Sequence, residues 1–195
     1  MKNFLDILLI CFFLWLILPL LFFGSILILL FDGKPIFFIQ QRIGFGGKAF
    51  NLVKFRTMSV DPTRTHDSFD LDSLSCVTTV GSLLRRTKLD ELPQVWNVLR
   101  GDMSLVGPRP EVRHWVDVYS ERWSKVHQVR PGITDPASII YRNEQQLLAQ
   151  SSDPERTYRE EILPHKLSIY EKYLDEQSLL GDIGILFKTI ATLIR

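Results

Sequence analysis

Two adjacent carboxylates, Asp90 and Glu91, have the surroundings most suited to chemistry in this sequence. Three cations come shortly before them: Arg85, Arg86 and Lys88. One interpretation is structural, because acidic residues stabilise the start of a helix by meeting its free N–H groups and positive dipole end. The other is catalytic, since an ionised carboxylate can attack phosphorus while its neighbour holds a hard cation such as Mg²⁺. The residues alone leave both interpretations open.

Arginines at rigid positions could bind the anionic group that such chemistry needs. Arg109 lies between two prolines, Arg130 precedes Pro131-Gly132, and Arg142 follows Tyr141. A single arginine is more often a solvated or ion-paired surface residue, so each is weak alone. Together with the carboxylate pair they indicate anionic substrates.

Other common sites are excluded by composition and spacing. The four histidines are scattered without metal-ligand spacing, and two cysteines cannot build a zinc site. The chain also lacks the glycine-rich signatures of dinucleotide-binding and P-loop proteins. Its 195 residues carry 23 basic and 22 acidic side chains, with no polybasic tail or basic helix. Nucleic-acid binding is therefore not expected.

Residues 7–31 form an apolar run without a charged side chain. As a helix this run would extend about 37 Å, longer than a hydrocarbon core of about 30 Å. It is too long for a secretory signal peptide and has no small-residue cleavage site. Two topologies remain open: a single spanning helix, or a re-entrant helix that is broken at Pro19 and leaves by the face it entered.

The charges that follow the apolar run predict its orientation. Residues 33–60 carry five lysines and arginines and no acidic residue. Such a flank lies on the cytoplasmic side and is attracted to anionic headgroups. The two solitary cysteines, Cys11 and Cys76, suit a cytoplasmic protein. We therefore divide the chain into a membrane element at 1–32 and a cytoplasmic domain at 33–195.

Short periodic segments predict that this domain is α+β, dominated by helices, with a small antiparallel sheet. Strands are expected at 36–43 and 49–56, joined by a glycine-rich turn, and the polar residues 61–75 predict a mobile loop. Helical patterns occupy 80–88, 90–99, 111–127 and 154–177. An amphipathic helix begins near Leu179 and is expected to pack on the core or lie at the membrane interface.

A long motif surrounds the carboxylate pair. It begins Leu89-Asp90-Glu91-Leu92-Pro93-Gln94 and continues from Asn97 to Gly107-Pro108-Arg109-Pro110. Further matching segments are Lys54-Phe55-Arg56-Thr57-Met58, Arg130-Pro131-Gly132-Ile133-Thr134, Arg142-Asn143 and Ser178-Leu179-Leu180-Gly181-Asp182. The pattern closely resembles the bacterial sugar transferase family, the monotopic phosphoglycosyl transferases. The resemblance covers nearly the whole chain, whose length matches the minimal, single-domain members.

The resemblance implies a two-step transfer. Asp90 would attack the β-phosphate of a UDP-sugar and release UMP, and the phosphosugar would then pass to a polyprenyl phosphate. Glu91 would complete a catalytic dyad, and Mg²⁺ would be required, with Asp90 and Glu91 as its ligands. Substrate-binding roles are implied for Lys54, Arg85, Arg109, Arg142 and Asp182. The apolar run would be the family's re-entrant helix.

Three positions depart from the family pattern. The family usually breaks its re-entrant helix at Ser-Pro, where this chain has Leu18-Pro19. Asp135-Pro136-Ala137-Ser138 stands where Gly-Leu-Ala-Gln is common, and Tyr141 replaces the usual glycine before Arg142. The last two changes flank a position tied to nucleotide-sugar binding. They bear on the choice of donor more than on the reaction type.

The expected function is that of a polyprenyl-phosphate sugar-1-phosphate transferase, acting in the first membrane step of a surface glycan pathway. Its expected place is the cytoplasmic face of the bacterial inner membrane. The expected partners are a UDP-sugar, a polyprenyl (undecaprenyl) phosphate and the lipid bilayer, with no nucleic acid and with a homodimer left open. Two alternatives remain: the same enzyme on a straight spanning anchor, and a membrane-anchored scaffold that keeps the fold without catalysis.

Overall fold

The computed structural model describes residues 2–59 and 76–194. The loop predicted at 61–75 lies outside the described residues. The described part is rich in helix with two small sheets, consistent with the α+β prediction.

Helices account for most of the described residues. They are α1 (Lys2–Phe31), α2 (Thr79–Arg86), α3 (Val95–Arg100), α4 (Arg113–Val118), α5 (Ser120–Val126), α6 (Pro136–Ile140), α7 (Glu144–Ala149), α8 (Pro154–Thr157), α9 (Leu163–Glu176) and α10 (Leu179–Ile194). Short 3-10 turns cover Phe45–Gly47 and Leu89–Gln94, and a π-helical turn covers Tyr158–Ile162. The strands are β1 (Phe37–Ile43), β2 (Ala49–Phe55), β3 (Ser104–Val106) and β4 (Gly132–Thr134).

The chain folds as two compact units. The N-terminal unit comprises residues 1–41 and 51–101, and the C-terminal unit comprises 42–50 and 102–195. The β1–β2 hairpin, predicted from the sequence, is confirmed. Its turn uses Gly46 and Gly47, whose φ angles of 65° and 71° favour glycine.

Helix α1 contains the apolar run and belongs to the N-terminal unit. It is 30 residues long, continues through Pro19, and is long and apolar enough to cross a membrane. It packs against α2, α3 and the turn at 89–94. Near its end, Ile28 joins Phe55, Val80 and Leu84 in a buried cluster, so the apolar helix shares a core with the elements around the carboxylates.

The carboxylate pair lies in a 3-10 turn, which corrects the prediction of a helix over 90–99. The turn covers Leu89–Gln94, and α-helix begins only at Val95. Lys88 enters the turn with a left-handed φ of 56°, and Pro93 has no N–H to donate. Gly101 ends α3 with a left-handed φ of 83°, which favours glycine.

The C-terminal unit contains a parallel pair of strands that the sequence analysis did not predict. Ser104 pairs with Gly132 and Val106 with Thr134. A Cβ on Gly132 would collide with the backbone of Gly107, so the two chain segments can approach only because glycine stands there. Each strand has three residues, too few for a periodic signal.

The helix predicted over 111–127 is two helices. Tyr119 separates α4 from α5 with φ −131° and ψ 50°, outside the helical region. Its hydroxyl donates to the carbonyl of Arg159, 2.9 Å away. The apolar stripe itself is confirmed, since Trp115, Val116 and Trp123 are buried.

Candidate active site

Asp90 and Glu91 are half-buried in the first turn of the segment Leu89–Gln94. The residue before this segment, Lys88, makes no side-chain cap to it. The pair therefore does not sit at the start of a regular α-helix. The acidic turn still leads directly into α3, so the structural interpretation stands beside the catalytic one.

Arg85 interacts electrostatically with Asp90. It lies in the last turn of α2 and is half-buried, whereas Arg86 and Lys88 are exposed. Burial lowers the pKa of the Arg85 guanidinium, and the charge of Asp90 acts in the opposite direction. The side chain keeps its charge at physiological pH, because an arginine is not deprotonated in proteins. A half-buried cation thus interacts with Asp90 in a partly dry environment.

Lys54 lies in the same unit, one residue before the end of β2, and is half-buried. The N-terminal unit therefore holds four of the seven predicted site residues: Lys54, Arg85, Asp90 and Glu91. Asn97 on α3 fixes this strand, because its side-chain oxygen accepts from the amide of Val53 and its side-chain nitrogen donates to the carbonyl of Asn51. Asn97 is 1 % exposed, and the sequence analysis did not recognise this role.

Arg109 lies in the C-terminal unit, half-buried between Pro108 and Pro110. It interacts electrostatically with Asp135, a fully buried carboxylate that accepts from the amide of Ser138 at 2.9 Å. Burial raises the pKa of Asp135, while the bonds from Ser138 and the charge of Arg109 act against that rise. The Asp135–Ser138 departure from the family pattern therefore places a carboxylate beside Arg109.

Glu111, just after the Arg109 segment, ties it to the hairpin. Its carboxylate accepts from Arg42 at 2.7 Å and from the hydroxyl of Tyr158 at 2.7 Å. Burial alone would raise the pKa of Glu111, but the cations Arg42 and Lys166 and the Tyr158 hydroxyl outweigh it and hold the pKa below its ordinary value. Sequence reasoning missed this residue, since nothing in its spacing distinguishes it from a surface glutamate.

Arg142 is exposed between α6 and α7. The residue before it, Tyr141, hydrogen-bonds through its hydroxyl to Nδ1 of His165, 2.7 Å away. The buried ammonium of Lys166 lies 5.7 Å from the ring of Tyr141 and forms an ion pair with Glu144. Residues of α9 therefore fix the corner that carries Arg142 and leave its side chain in solvent.

Asp182 lies in the first turn of α10 and is 7 % exposed. Its carboxylate accepts from the hydroxyl of Tyr173 on α9 at 2.7 Å. This bond joins two helices, and the substrate-binding role of Asp182 stays a prediction. Arg109, Arg142 and Asp182 belong to the C-terminal unit, and each is placed by a different helix or turn.

A comparison with known protein families identifies the family of this chain. The model of the family described as bacterial sugar transferase matches residues 1–195. The chain belongs to the bacterial sugar transferase family. The resemblance noted in the sequence is thereby confirmed.

Several curated members of this family are similar to the chain. A UDP-N-acetylgalactosamine-undecaprenyl-phosphate N-acetylgalactosaminephosphotransferase of Aeromonas hydrophila is 36 % identical over 179 residues, which are 90 % of this chain and 39 % of that protein. A UDP-glucose:undecaprenyl-phosphate glucose-1-phosphate transferase of Caulobacter vibrioides is 34 % identical over 179 residues, 90 % of this chain and 63 % of that one. The exopolysaccharide production protein ExoY of Sinorhizobium fredii is 34 % identical over 174 residues, 82 % of this chain and 70 % of that one. The chain thus spans about two fifths of the Aeromonas protein's length.

Proposed function

We propose that this protein transfers a sugar-1-phosphate from a UDP-sugar to a polyprenyl phosphate and releases UMP. The observation that carries the proposal is that half-buried Asp90 interacts electrostatically with half-buried Arg85, in the same unit as the apolar helix α1. The names of the Aeromonas and Caulobacter relatives state UDP-sugars as donors and undecaprenyl phosphate as acceptor, which supports the same substrates here.

In the first step a carboxylate oxygen of Asp90 attacks the β-phosphorus of the donor. The bond from this phosphorus to the oxygen bridging to the α-phosphate breaks, and UMP leaves with that oxygen. Asp90 then carries a phosphosugar as an acyl phosphate. Arg85, which interacts electrostatically with Asp90, would stabilise the negative charge on the transferring phosphoryl group.

In the second step a phosphate oxygen of the polyprenyl phosphate attacks the same phosphorus. The acyl phosphate bond breaks, Asp90 returns to a free carboxylate, and the product is a polyprenyl-diphospho-sugar. One small site can thus serve a soluble donor and a lipid acceptor in turn. The kinetics expected are ping-pong.

The donor set near Asp90 suits Mg²⁺. Among the described residues, no group of three or more His, Cys, Asp or Glu side chains forms a metal cage. Mg²⁺ is commonly bound by one or two carboxylates together with substrate phosphates, and Asp90 and Glu91 supply two carboxylates. Mg²⁺ neutralises charge on the diphosphate when bound. We therefore propose Glu91, with Asp90, as its protein ligands.

We also propose that α1 is re-entrant. Asp6 and Ile10 near its start and Gly24 and Ile28 near its end are buried, whereas every residue over 11–23 is exposed or half-buried. A straight helix of this length extends about 45 Å, so protein on one side of a membrane could cover only one end. A bend at Pro19 would return both ends to the cytoplasmic face and leave the middle in lipid.

The last helix supports an interfacial position for the protein. Along α10, exposed large apolar side chains recur at helical spacing: Leu179, Leu180, Ile183, Phe187 and Ile190. The opposite side contacts its unit, where the hydroxyl of Thr189 lies 2.7 Å from that of Thr134. We propose that the apolar side of α10 lies in the headgroup region of the cytoplasmic leaflet.

Labelling from the two sides of the membrane tests the topology. We expect an Asn3→Cys variant, in a background with Cys11→Ser and Cys76→Ser, to resist an impermeant maleimide in spheroplasts and to react in inverted vesicles. The exposed Lys125→Cys position in the same background is the cytoplasmic control. Reaction of residue 3 from outside would establish a spanning helix and contradict re-entry.

Release of UMP tests the function. The full chain in nanodiscs, with undecaprenyl phosphate, Mg²⁺ and a panel of UDP-sugars, is expected to release UMP from at least one donor. EDTA should abolish release, and excess Mg²⁺ should restore it, because the diphosphate charge is then neutralised. No release from any donor would contradict the enzymatic proposal and favour the scaffold alternative.

A further inference from the structure

Thr57 holds the cation beside the proposed nucleophile. It follows β2 by two residues and is 7 % exposed. Its hydroxyl oxygen accepts a hydrogen bond from Nε of Arg85, with a distance of 2.8 Å. A guanidinium is a rigid plane, so a bond at Nε fixes that plane while the terminal nitrogens keep their own donors. The orientation of Arg85 is therefore set by one buried hydroxyl.

The backbone of Thr57 also fixes the helix that carries Arg85. Its carbonyl accepts from the amide of Thr78, the N-cap of α2, at 3.1 Å. A Cβ on Gly81 would collide with this same carbonyl, so α2 lies directly on the Thr57 backbone. Both the start of α2 and its last turn are thus located by one residue.

The neighbouring residue connects this arrangement to the end of the membrane helix. Arg56 is 7 % exposed and donates from Nη2 to the carbonyls of Asp32 (2.7 Å) and Gly33 (2.8 Å), just beyond α1. The carboxylate of Asp32 in turn accepts from the hydroxyl of Thr78 at 2.7 Å. The hydrogen bonds therefore form a closed circuit from the end of α1 through α2 and Arg85 back to β2.

We propose that Thr57 is a positioning residue for the transfer reaction. It orients the Arg85 guanidinium toward Asp90 and, together with Arg56, holds this guanidinium in a fixed position relative to the end of α1. This inference rests on the proposed function of Asp90. It assigns to Thr57 no contact with substrate. Its effect passes through Arg85, so it should appear in the rate of the chemical step rather than in the binding of donor.

A purely structural hydroxyl would behave differently. Loss of a buried hydrogen bond that only stabilises the fold lowers the amount or melting temperature of the protein but leaves the turnover of each folded molecule unchanged. Loss of a bond that orients a catalytic cation lowers kcat with little change in KM. The two roles are therefore separable by kinetics normalised to folded protein.

Three variants of the full chain in nanodiscs make the test. Thr57→Val removes the hydrogen-bond acceptor and keeps the branched shape, whereas Thr57→Ser keeps the hydroxyl. Thr87→Val is the control, at the C-terminal end of α2, the helix that carries Arg85. The Thr87 hydroxyl bonds only carbonyls within α2. We expect Thr57→Val to lower kcat about tenfold with KM for the UDP-sugar within about twofold, because bonds to charged groups are the stronger class. Thr57→Ser and Thr87→Val should keep kcat within about twofold of the wild type.

Two results would overturn the proposal while leaving the enzymatic function intact: a wild-type kcat in Thr57→Val, or an equal loss in Thr57→Ser. A wild-type chain that releases no UMP fails the proposed function itself. In that case the NMR signal of the Arg85 ¹⁵Nε–H group tests whether Arg85 is hydrogen-bonded to Thr57. This signal is assigned by its loss in Arg85→Lys. Its protection from solvent exchange should disappear in Thr57→Val and persist in Thr57→Ser, and unchanged protection in Thr57→Val contradicts the positioning role.

Discussion

Asp90→Asn is expected to lower UMP release by at least about a thousandfold, because the amide cannot form the acyl phosphate through which the transfer passes. The substitution keeps the size and shape of the side chain. Asparagine fits the same half-buried position in the turn at 89–94, so the fold should persist. Initial rates with donor, acceptor and Mg²⁺ give the measurement.

The covalent intermediate provides a second measurement that needs no acceptor. Labelled UMP should exchange into the UDP-sugar when polyprenyl phosphate is omitted, because the first step is reversible. Asp90→Asn should abolish this exchange as well as net transfer. The matched control is Asp117→Asn, at an exposed carboxylate that lies 4.0 Å from the guanidinium of Arg113. Full turnover by a folded Asp90→Asn variant would exclude Asp90 as the nucleophile.

Strong local patterns predicted much of the fold. The apolar run gave α1, and alternation with a glycine turn gave the β1–β2 hairpin within one residue at each outer end. What the sequence did not predict depends on tertiary contacts. The three-residue strands β3 and β4 exist because Gly107 and Gly132 allow close approach, and the break at Tyr119 accompanies a bond to a residue 40 positions away.

The candidate site was only partly predictable. The sequence placed three cations near Asp90 but could not distinguish among them, since the positions of Arg85, Arg86 and Lys88 relative to the core depend on how α2 ends. In the structure only Arg85 is half-buried and coupled to Asp90. Thr57 and Glu111 were not recognised as supporting residues, because their partners lie 28 and 47 or more positions away in the chain.

Asp182 illustrates the opposite difficulty. The family resemblance implied a substrate-binding role, and the structure shows a buried carboxylate bonded to Tyr173. A residue that joins α9 to α10 is important for function in any member of the fold, with or without substrate contact. Motif membership alone does not separate the two roles, so the substrate-binding role of Asp182 stays a prediction beside the observed bond to Tyr173.

Arg85→Met is expected to lower kcat by about 10²–10³-fold, the usual loss when one preorganised donor of transition-state stabilisation is removed. Methionine fills the half-buried volume without the charge. The matched control is Arg86→Met, at the next residue along α2, whose side chain is exposed and should leave kcat unchanged. Equal losses in the two variants would indicate a general electrostatic effect of α2 rather than a specific role of Arg85.

The pH dependence and a conservative variant identify how Arg85 acts. A nearby cation favours the ionised form of a carboxylate, so its removal should move the acidic limb of the rate profile to higher pH. Arg85→Lys keeps the charge but loses the planar group and the Nε bond to Thr57. We therefore expect Arg85→Lys to restore the position of the acidic limb while recovering only part of kcat. Full recovery of kcat by lysine would show that charge alone suffices, and that the orientation set by Thr57 is not needed for the reaction.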